Sequence, residues 1–277
     1  MTINILISTI DQGIDKVKDI LQPANMLVKY IISHQYRSLE FKYVPENLHR
    51  EDVFVSQVLG AGLAKSRNNA LQFADGDIAL LADDDIKYFS NTFNLISEAF
   101  KANPHLDVAC FKIRTNEGEP EYKNYPAKQK GLKNFWHHPI SSIEIAIRIK
   151  SIKNRGIQFD ERFGIGSKEF HFGEEAIFIN DCIKSGLNVE FFPFYIVNHP
   201  YESTVRKTDK FDKQRIKTRA AVHARMFGRK SFVISLLETV IYFPEIIKRK
   251  INPINLLKIR FDAANSILIE TKRFNSL

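Results

Sequence analysis

The residues most able to do chemistry in this chain are three consecutive aspartates, Asp83, Asp84 and Asp85. Neighbouring carboxylates repel one another by about 1 to 4 kcal/mol depending on the local dielectric, so the run needs either free solvent or a compensating cation. The five residues before it, Ile78 to Ala82, are wholly apolar, so the carboxylates emerge directly from a buried strand. In an open α/β sheet, ligands bind beyond such strand ends. A hard ion, Mg²⁺ or Mn²⁺, takes one or two carboxylates and fills its shell with water and phosphate oxygens. Strand alternation predicts Asp83 and Asp85 on one side, with Asp84 turned away. A solvated acidic turn is the plain alternative.

A second carboxylate pair, Glu174 and Glu175, follows Gly173 at the start of a predicted helix that closes near Gly186. On a helical wheel Glu175 shares the stripe of Phe178, Ile179, Cys182 and Ile183, whereas Glu174 aligns with Asp181 on the side expected to face solvent. A carboxylate at the mouth of an apolar face suits general-base work. Two glutamates at a helix start also favour the helix through its dipole alone, whatever else they do.

These groups need elements to position them. Ile3 to Ser8 and Leu27 to Ser33 are compact apolar runs that predict strands, with Ile14, Val17, Ile20 and Leu21 at helical spacing between them. Leu63, Arg67, Ala70, Leu71 and Ala74 predict a helix that leads into strand Ile78 to Ala82. A helix over Thr92 to Lys101 and a strand over Asp107 to Ile113 continue the alternation. Residues 114–139 have no sustained period and read as a long binding loop or lid. Ile143, Ile145, Ile147 and Ile149 alternate as in a half-buried strand, and Val189 to Phe192 predicts a last one. The grammar is that of an α/β fold: an open, mostly parallel sheet with helices on both faces. Cys110 and Cys182 sit in apolar runs, as buried thiols of a reducing compartment do. Met1 to Ser8 lacks a basic leader and a cleavage site, so no export signal is expected and the cytoplasm is the expected location.

The stretch GLAKSRNNALQFADGDIALLADDDI, Gly62 to Ile86, covers 25 residues and resembles the donor site of family 2 glycosyltransferases of the GT-A fold. The segment FDERFGIGSKEFHFGEEAIFINDCIKSG, Phe159 to Gly186, resembles the acceptor side of the same family. The resemblance implies an inverting transferase that uses a nucleotide-sugar donor, UDP-linked, with Mg²⁺ or Mn²⁺. It assigns Asp85 to the metal and Asp83 to the ribose or sugar, with a metal contact of its own. It allows His199 to complete the metal shell, and it makes Glu175 the base, with Glu174 as the alternative. Ser8, Thr9, His34, Lys65, Arg67, Asn68 and Asp84 are the further candidates for nucleotide contact. Arg67 can equally neutralise the aspartates. Two departures stand out: Ser33, His34 and Gln35 replace the family's acidic turn, and Ser8, Thr9 and Ile10 replace its P-x-Y-N. His137 and His138, beside Trp136 in the long loop, carry no assignment.

Charge divides the chain unevenly. Residues 203–277 hold 17 Lys or Arg against 6 Asp or Glu, a net of +11, so a chain of net +8 carries −3 over residues 1–202. The expected organisation is therefore a catalytic domain over 1–202, with a nucleotide-binding half (1–113) and an acceptor half (114–202), followed by a basic helical segment over 203–277. Ser231 to Ile247 is too interrupted to span a bilayer. Its stripe of Ser231, Ser235, Glu238, Tyr242 and Arg249 leaves a broad apolar face suited to a membrane interface through residues 231–260, or to packing on the domain or a second subunit of a homo-oligomer. The resemblance points to a saccharide or polyprenyl-linked acceptor in bacterial surface polysaccharide synthesis, on the inner face of the membrane, and no nucleic-acid partner is expected. A sugar nucleotidyltransferase would want a Gly-rich basic loop after the first strand, where residues 8–16 offer only Gly13 and Lys16. A noncatalytic, membrane-associated binding protein is the other alternative.

Overall fold

The computed structural model describes residues 1–132, 140–202 and 208–274, with side chains described to residue 270. Strands β1 (Ile3–Ile10), β2 (Val28–Tyr36), β3 (Val53–Leu59) and β4 (Ile78–Asp83) come first, with helix α1 (Leu63–Phe73) before β4. Then follow β5 (Lys87–Tyr88), α2 (Thr92–Ala102), β6 (Val108–Arg114), β7 (Lys130–Gly131), β8 (Ile145–Arg148), α3 (Ile149–Asn154), α4 (Glu174–Lys184) and β9 (Val189–Asn198). Four helices close the described chain: α5 (Lys213–Phe227), α6 (Lys230–Ile241), α7 (Phe243–Lys248) and α8 (Pro253–Phe274).

The strands form one open sheet in the order β3-β2-β1-β4-β8-β6-β9-β5, with β7 paired to β9. β3, β2, β1 and β4 run parallel, and β8 is inserted antiparallel between β4 and β6. Alternate residues of β1 feed two cores: Ile5 and Ile7 pack with Ile14, Val17 and Ile96 on one face, and Leu6 packs with Ala70, Leu71 and Phe178 on the other. Both faces are therefore covered, which is why β4 could be apolar throughout. Cys110 and Cys182 are free and buried.

Three sequence expectations need correction, and one strand, β3, carried no sequence reading. The segment after β1, Asp11–Asp19, is a 3₁₀ helix and not an α-helix, although its apolar spacing buries Ile14 and Val17 as predicted. Strand β3 carries no strong apolar run because it is the sheet edge; Ser56 and Gln57 are only half-buried. Ile143 to Ile149 is not a half-buried strand: β8 lies between two strands under cover on both faces, so Ala146 is as buried as Ile145 and Ile147, and the chain turns helical at Ile149. The long loop over 114–139 contains β7, and β9 runs six residues beyond Phe192. Trp136, His137 and His138 lie outside the described residues, as does the boundary near Ser203.

The C-terminal helices share a core with the segment that leads into α4. Phe163, Phe170 and Ile177 pack with Ala221, Val222, Met226, Ala264 and Ile267. Gly173, at φ +96° ahead of α4, lies so close to α5 that an added Cβ would meet Val222 Cγ2 at 2.5 Å.

Candidate active site

The carboxyl ends of β1 and β4 and the N-terminal ends of α1 and α4 converge on an open cavity of about 1000 Å³. Its wall includes Ser8, Thr9, Arg67, Asp83, Asp84, Asp85, Glu174, Glu175 and His199, so two segments separated by about 90 residues in sequence meet there. That volume suits a ligand of nucleotide-sugar size.

The acidic triplet does not follow strand alternation. Only Asp83 belongs to β4; Asp84 and Asp85 form a turn into β5. The three carboxyls consequently point three ways. Asp83 accepts from the Arg67 guanidinium at 3.1 Å. Asp84 faces back to β1, where Thr9 Oγ1 donates to it at 2.5 Å. This contact depends on Gly13, since a Cβ there would stand 2.2 Å from Asp84 Oδ2. Burial, reinforced by Asp85 and Asp83, raises the Asp84 pKa despite the bond from Thr9.

Asp85 reaches His199 because β5 pairs antiparallel with the end of β9, placing Lys87 opposite Asn198. Asp85 Oδ1 and His199 Nε2 are 3.7 Å apart. The imidazole is fixed from behind, with Nδ1 2.6 Å from the Pro200 carbonyl and the Tyr122 ring edge-on at 5.8 Å. His199 lowers the Asp85 pKa against the effect of burial. Burial works to lower the His199 pKa, and Asp85 outweighs it, so the histidine is raised. Among the described residues no group of three or more His, Cys, Asp or Glu side chains is placed to hold a metal ion. Asp83 is drawn away to Arg67, which leaves Asp85 and His199 facing each other across the cavity wall.

Arg67 is buried, at 1% exposure, and binds three parts of the site. It donates to Glu174 at 2.7 Å, to Ser142 Oγ at 2.7 Å and to Asp83 at 3.1 Å, and lies 5.6 Å from the Phe159 ring centroid. Burial opposes its charge, and the carboxylates of Asp83, Glu174 and Glu175 overcome that, holding the guanidinium protonated. Of its two possible roles, diphosphate contact and neutralisation of acids, the geometry shows the second.

The helical-wheel reading of the glutamates is half right. Glu174, expected toward solvent, is the more buried of the two, because its carboxylate turns back from the first turn of α4 onto Arg67. Asp181, its partner on the wheel, is taken up by Arg225 at 2.7 Å. Glu175 lines the cavity, half-buried, and burial and then the adjacent Glu174 charge push its pKa well above the ordinary carboxylate value.

Three predicted contacts fall outside the cavity wall. His34 is fully buried between the Asp11 carbonyl, 3.0 Å from Nε2, and Gln57, 3.2 Å from Nδ1. It serves the packing of β2, and its burial lowers its pKa. Asn68 ties α1 to the Phe159 backbone through bonds of 2.9 and 2.8 Å. Lys65 is exposed and does not line the cavity. Conversely, sequence reasoning missed Gln35, Tyr122 and Ser142, all in the wall. Ser8 Oγ and Gln35 Nε2 are buried there without a hydrogen-bond partner, which is costly unless a ligand satisfies them. The only sequence signal for Gln35 was its place at the end of β2.

No family model and no curated protein sequence matches the chain. Solved structures do. TarS of S. aureus, residues 1–349 in complex with UDP-GlcNAc, aligns with a TM-score of 0.60 at 13% identity over 97% of this chain and 84% of that one. The same TarS region in complex with UDP gives a TM-score of 0.58 at 14% identity, covering 97% of this chain and 83% of that one. A longer TarS structure gives 0.55 at 15% identity over 87% of this chain, which spans only 44% of that one. At such identities the likeness is one of fold.

Proposed function

We propose that this chain is an inverting glycosyltransferase of the GT-A, family 2 type. It transfers a sugar from a UDP-linked donor to a saccharide or lipid-linked saccharide in the building of a bacterial surface polysaccharide. The observation that carries the reading is the convergence, in one cavity, of the Asp83 to Asp85 turn, His199 and Glu175. The shared fold with a protein solved in complex with UDP-GlcNAc supports the donor class.

Asp85 and His199 fit Mg²⁺ or Mn²⁺. Nδ1 of His199 faces a carbonyl, which only accepts, so Nε2 is the nitrogen that would give up its proton and turn a lone pair to an ion held with Asp85. When bound, the ion supplies charge neutralisation for the departing nucleoside diphosphate. The unpartnered Ser8 and Gln35 groups meet the polar edge of the nucleotide, and Asp83, braced by Arg67, meets its ribose or sugar. Glu175 accepts the proton of the acceptor hydroxyl as that oxygen bonds to the anomeric carbon. The bond from that carbon to the diphosphate oxygen breaks on the opposite side, so configuration inverts. A raised pKa keeps Glu175 a strong enough base for an alcohol proton that is released as attack proceeds.

The nucleotidyltransferase alternative finds no support in the loop after β1. That loop is a 3₁₀ segment with Ile14 and Val17 buried, and its one glycine is occupied by contact with Asp84. The test is a thermal-shift screen of sugar nucleotides with and without Mn²⁺, followed by donor hydrolysis assays. A metal-dependent shift with a UDP-sugar is expected, with hydrolysis lost in Asp85→Ala and Glu175→Gln. No shift with any sugar nucleotide, or full turnover in both variants, refutes the assignment.

A further inference from the structure

Helix α6 is inverted relative to an ordinary surface helix. Its polar stripe faces the protein: Ser231, Ser235 and Thr239 are all buried, and from α8 Arg260 donates to the Ser235 carbonyl at 2.9 Å and to Thr239 Oγ1 at 3.2 Å. The small serines permit that close approach. Its apolar stripe faces outward. Val233, Leu236, Leu237, Val240 and Ile241 are exposed, the last two at 70% and 69%, and Ile247 on α7 extends the row. Beside it opens a groove of about 510 Å³ whose wall includes Phe227, Ile234, Leu237 and Ile241. Leaving so many aliphatic side chains in water forgoes burial that most surface helices achieve, which marks a face with an occupant.

Charge identifies the occupant. The only acids on α6 and α7 are withdrawn: Glu238 pairs with Arg219 at 2.6 Å and Arg260 at 3.2 Å, and Glu245 pairs with Lys210 and Arg249. What remains exposed around the apolar row is cationic, with Arg229 and Lys230 at one end and Lys248 and Lys250 at the other. Protein interface cores are depleted in lysine, whereas exposed lysines border this row at both ends, and its exposed aromatic Phe243 suits a bilayer equally well. A second copy of the face would bring like charges together. Aliphatic side chains flanked by lysines match the acyl and headgroup layers of an anionic bilayer. Among the described residues no helix is long and apolar enough to cross a membrane, so the contact lies in the plane of the surface.

We propose that α6 and α7 dock the protein onto anionic lipid membranes, with Leu237, Val240 and Ile241 entering the acyl region and the flanking lysines meeting phosphate headgroups. This proposal does not rest on the transferase reading and stands or falls separately. The test is flotation of the full chain with vesicles of phosphatidylcholine alone and of phosphatidylcholine with about a third phosphatidylglycerol. Selective binding to the second is expected, weakened by added salt. Leu237→Glu with Ile241→Glu should reduce partitioning about tenfold or more, since two exposed anchors are lost. Lys248→Glu with Lys250→Glu should also reduce it about tenfold. Both pairs are exposed, so melting temperatures should hold. Absence of binding to anionic vesicles overturns the proposal, as does unchanged binding of the Leu237/Ile241 variant. A solution dimer that the same variant splits, with no vesicle binding, assigns the face to a second copy instead.

Discussion

Replacement of Arg67 by Met tests the central electrostatic claim about the site. The guanidinium is 1% exposed and the Glu174 side chain 6%, at a separation of 2.7 Å. Deleting one member of such a pair leaves an uncompensated buried charge, at a cost of about 3 to 5 kcal/mol. The Asp83 contact adds little, because that side chain is 34% exposed and solvent screens it to under about 1 kcal/mol. For a chain of this size the loss corresponds to a fall in melting temperature on the order of 10 °C. The informative comparison is the double variant Arg67→Met with Glu174→Gln, which removes both charges. It should be more stable than the sum of the single effects predicts, with a coupling of about 2 to 3 kcal/mol. Urea and thermal melts of the four proteins measure it. A loss of less than about 1 kcal/mol in Arg67→Met, or strict additivity in the double, refutes the argument that Arg67 is the counter-charge of α4.

Glu175→Gln should abolish transfer and yet stabilise the fold at neutral pH. With a folded pKa raised above the unfolded value of about 4.3, Glu175 binds its proton in both states below that value, and the folded state loses relative stability as pH rises toward the raised pKa. The variant should therefore melt with wild type near about pH 4 and exceed it by on the order of 1 kcal/mol at neutral pH; inferior stability throughout would contradict the burial argument. By the same sign, the acid limb of transfer activity should lie above the ordinary carboxylate range, as a pH-rate profile reads directly. Gly13→Ala should push the Asp84 carboxyl off Thr9 and weaken nucleotide-sugar affinity about tenfold with little change in melting temperature, measured by calorimetry. A chain ending at Glu202 should be insoluble or unfolded, because Phe163, Phe170 and Ile177 lose the helices that cover them; a cooperative melt from that fragment would show residues 1–202 to fold independently.

How much of this was legible in the sequence depends on whether the governing interaction was local. The apolar run into Asp83 announced a buried strand, and α1, α2 and α4 were readable from spacing, since a covered helix must repeat its apolar stripe. β3 was not readable, because an edge strand buries little and carries no strong period. The three aspartates were read as strand residues when two of them form the turn into β5, a pairing of two residues that depends entirely on β9, more than 100 residues later. The same long-range pairing is what brings His199 to Asp85, so the histidine could be suspected from resemblance but not from spacing.

Glu174 departs from the helical wheel, and α6 turns its polar stripe inward, for one common reason. A wheel ranks positions by hydrophobicity and assumes that polar groups seek water, whereas a buried arginine reverses the sign locally. Arg67 draws Glu174 inward and leaves Glu175 to the cavity; Arg260 draws the Ser235 to Thr239 stripe inward and leaves the aliphatic stripe outside. In each case a single buried cation supplied by a distant helix decides which face of an amphipathic element looks out. A polar stripe in the sequence therefore does not mark the solvent side unless the cation that might claim it has been located. At Arg67 the consequence is a second glutamate left on the cavity wall, and at Arg260 it is an apolar stripe left on the surface.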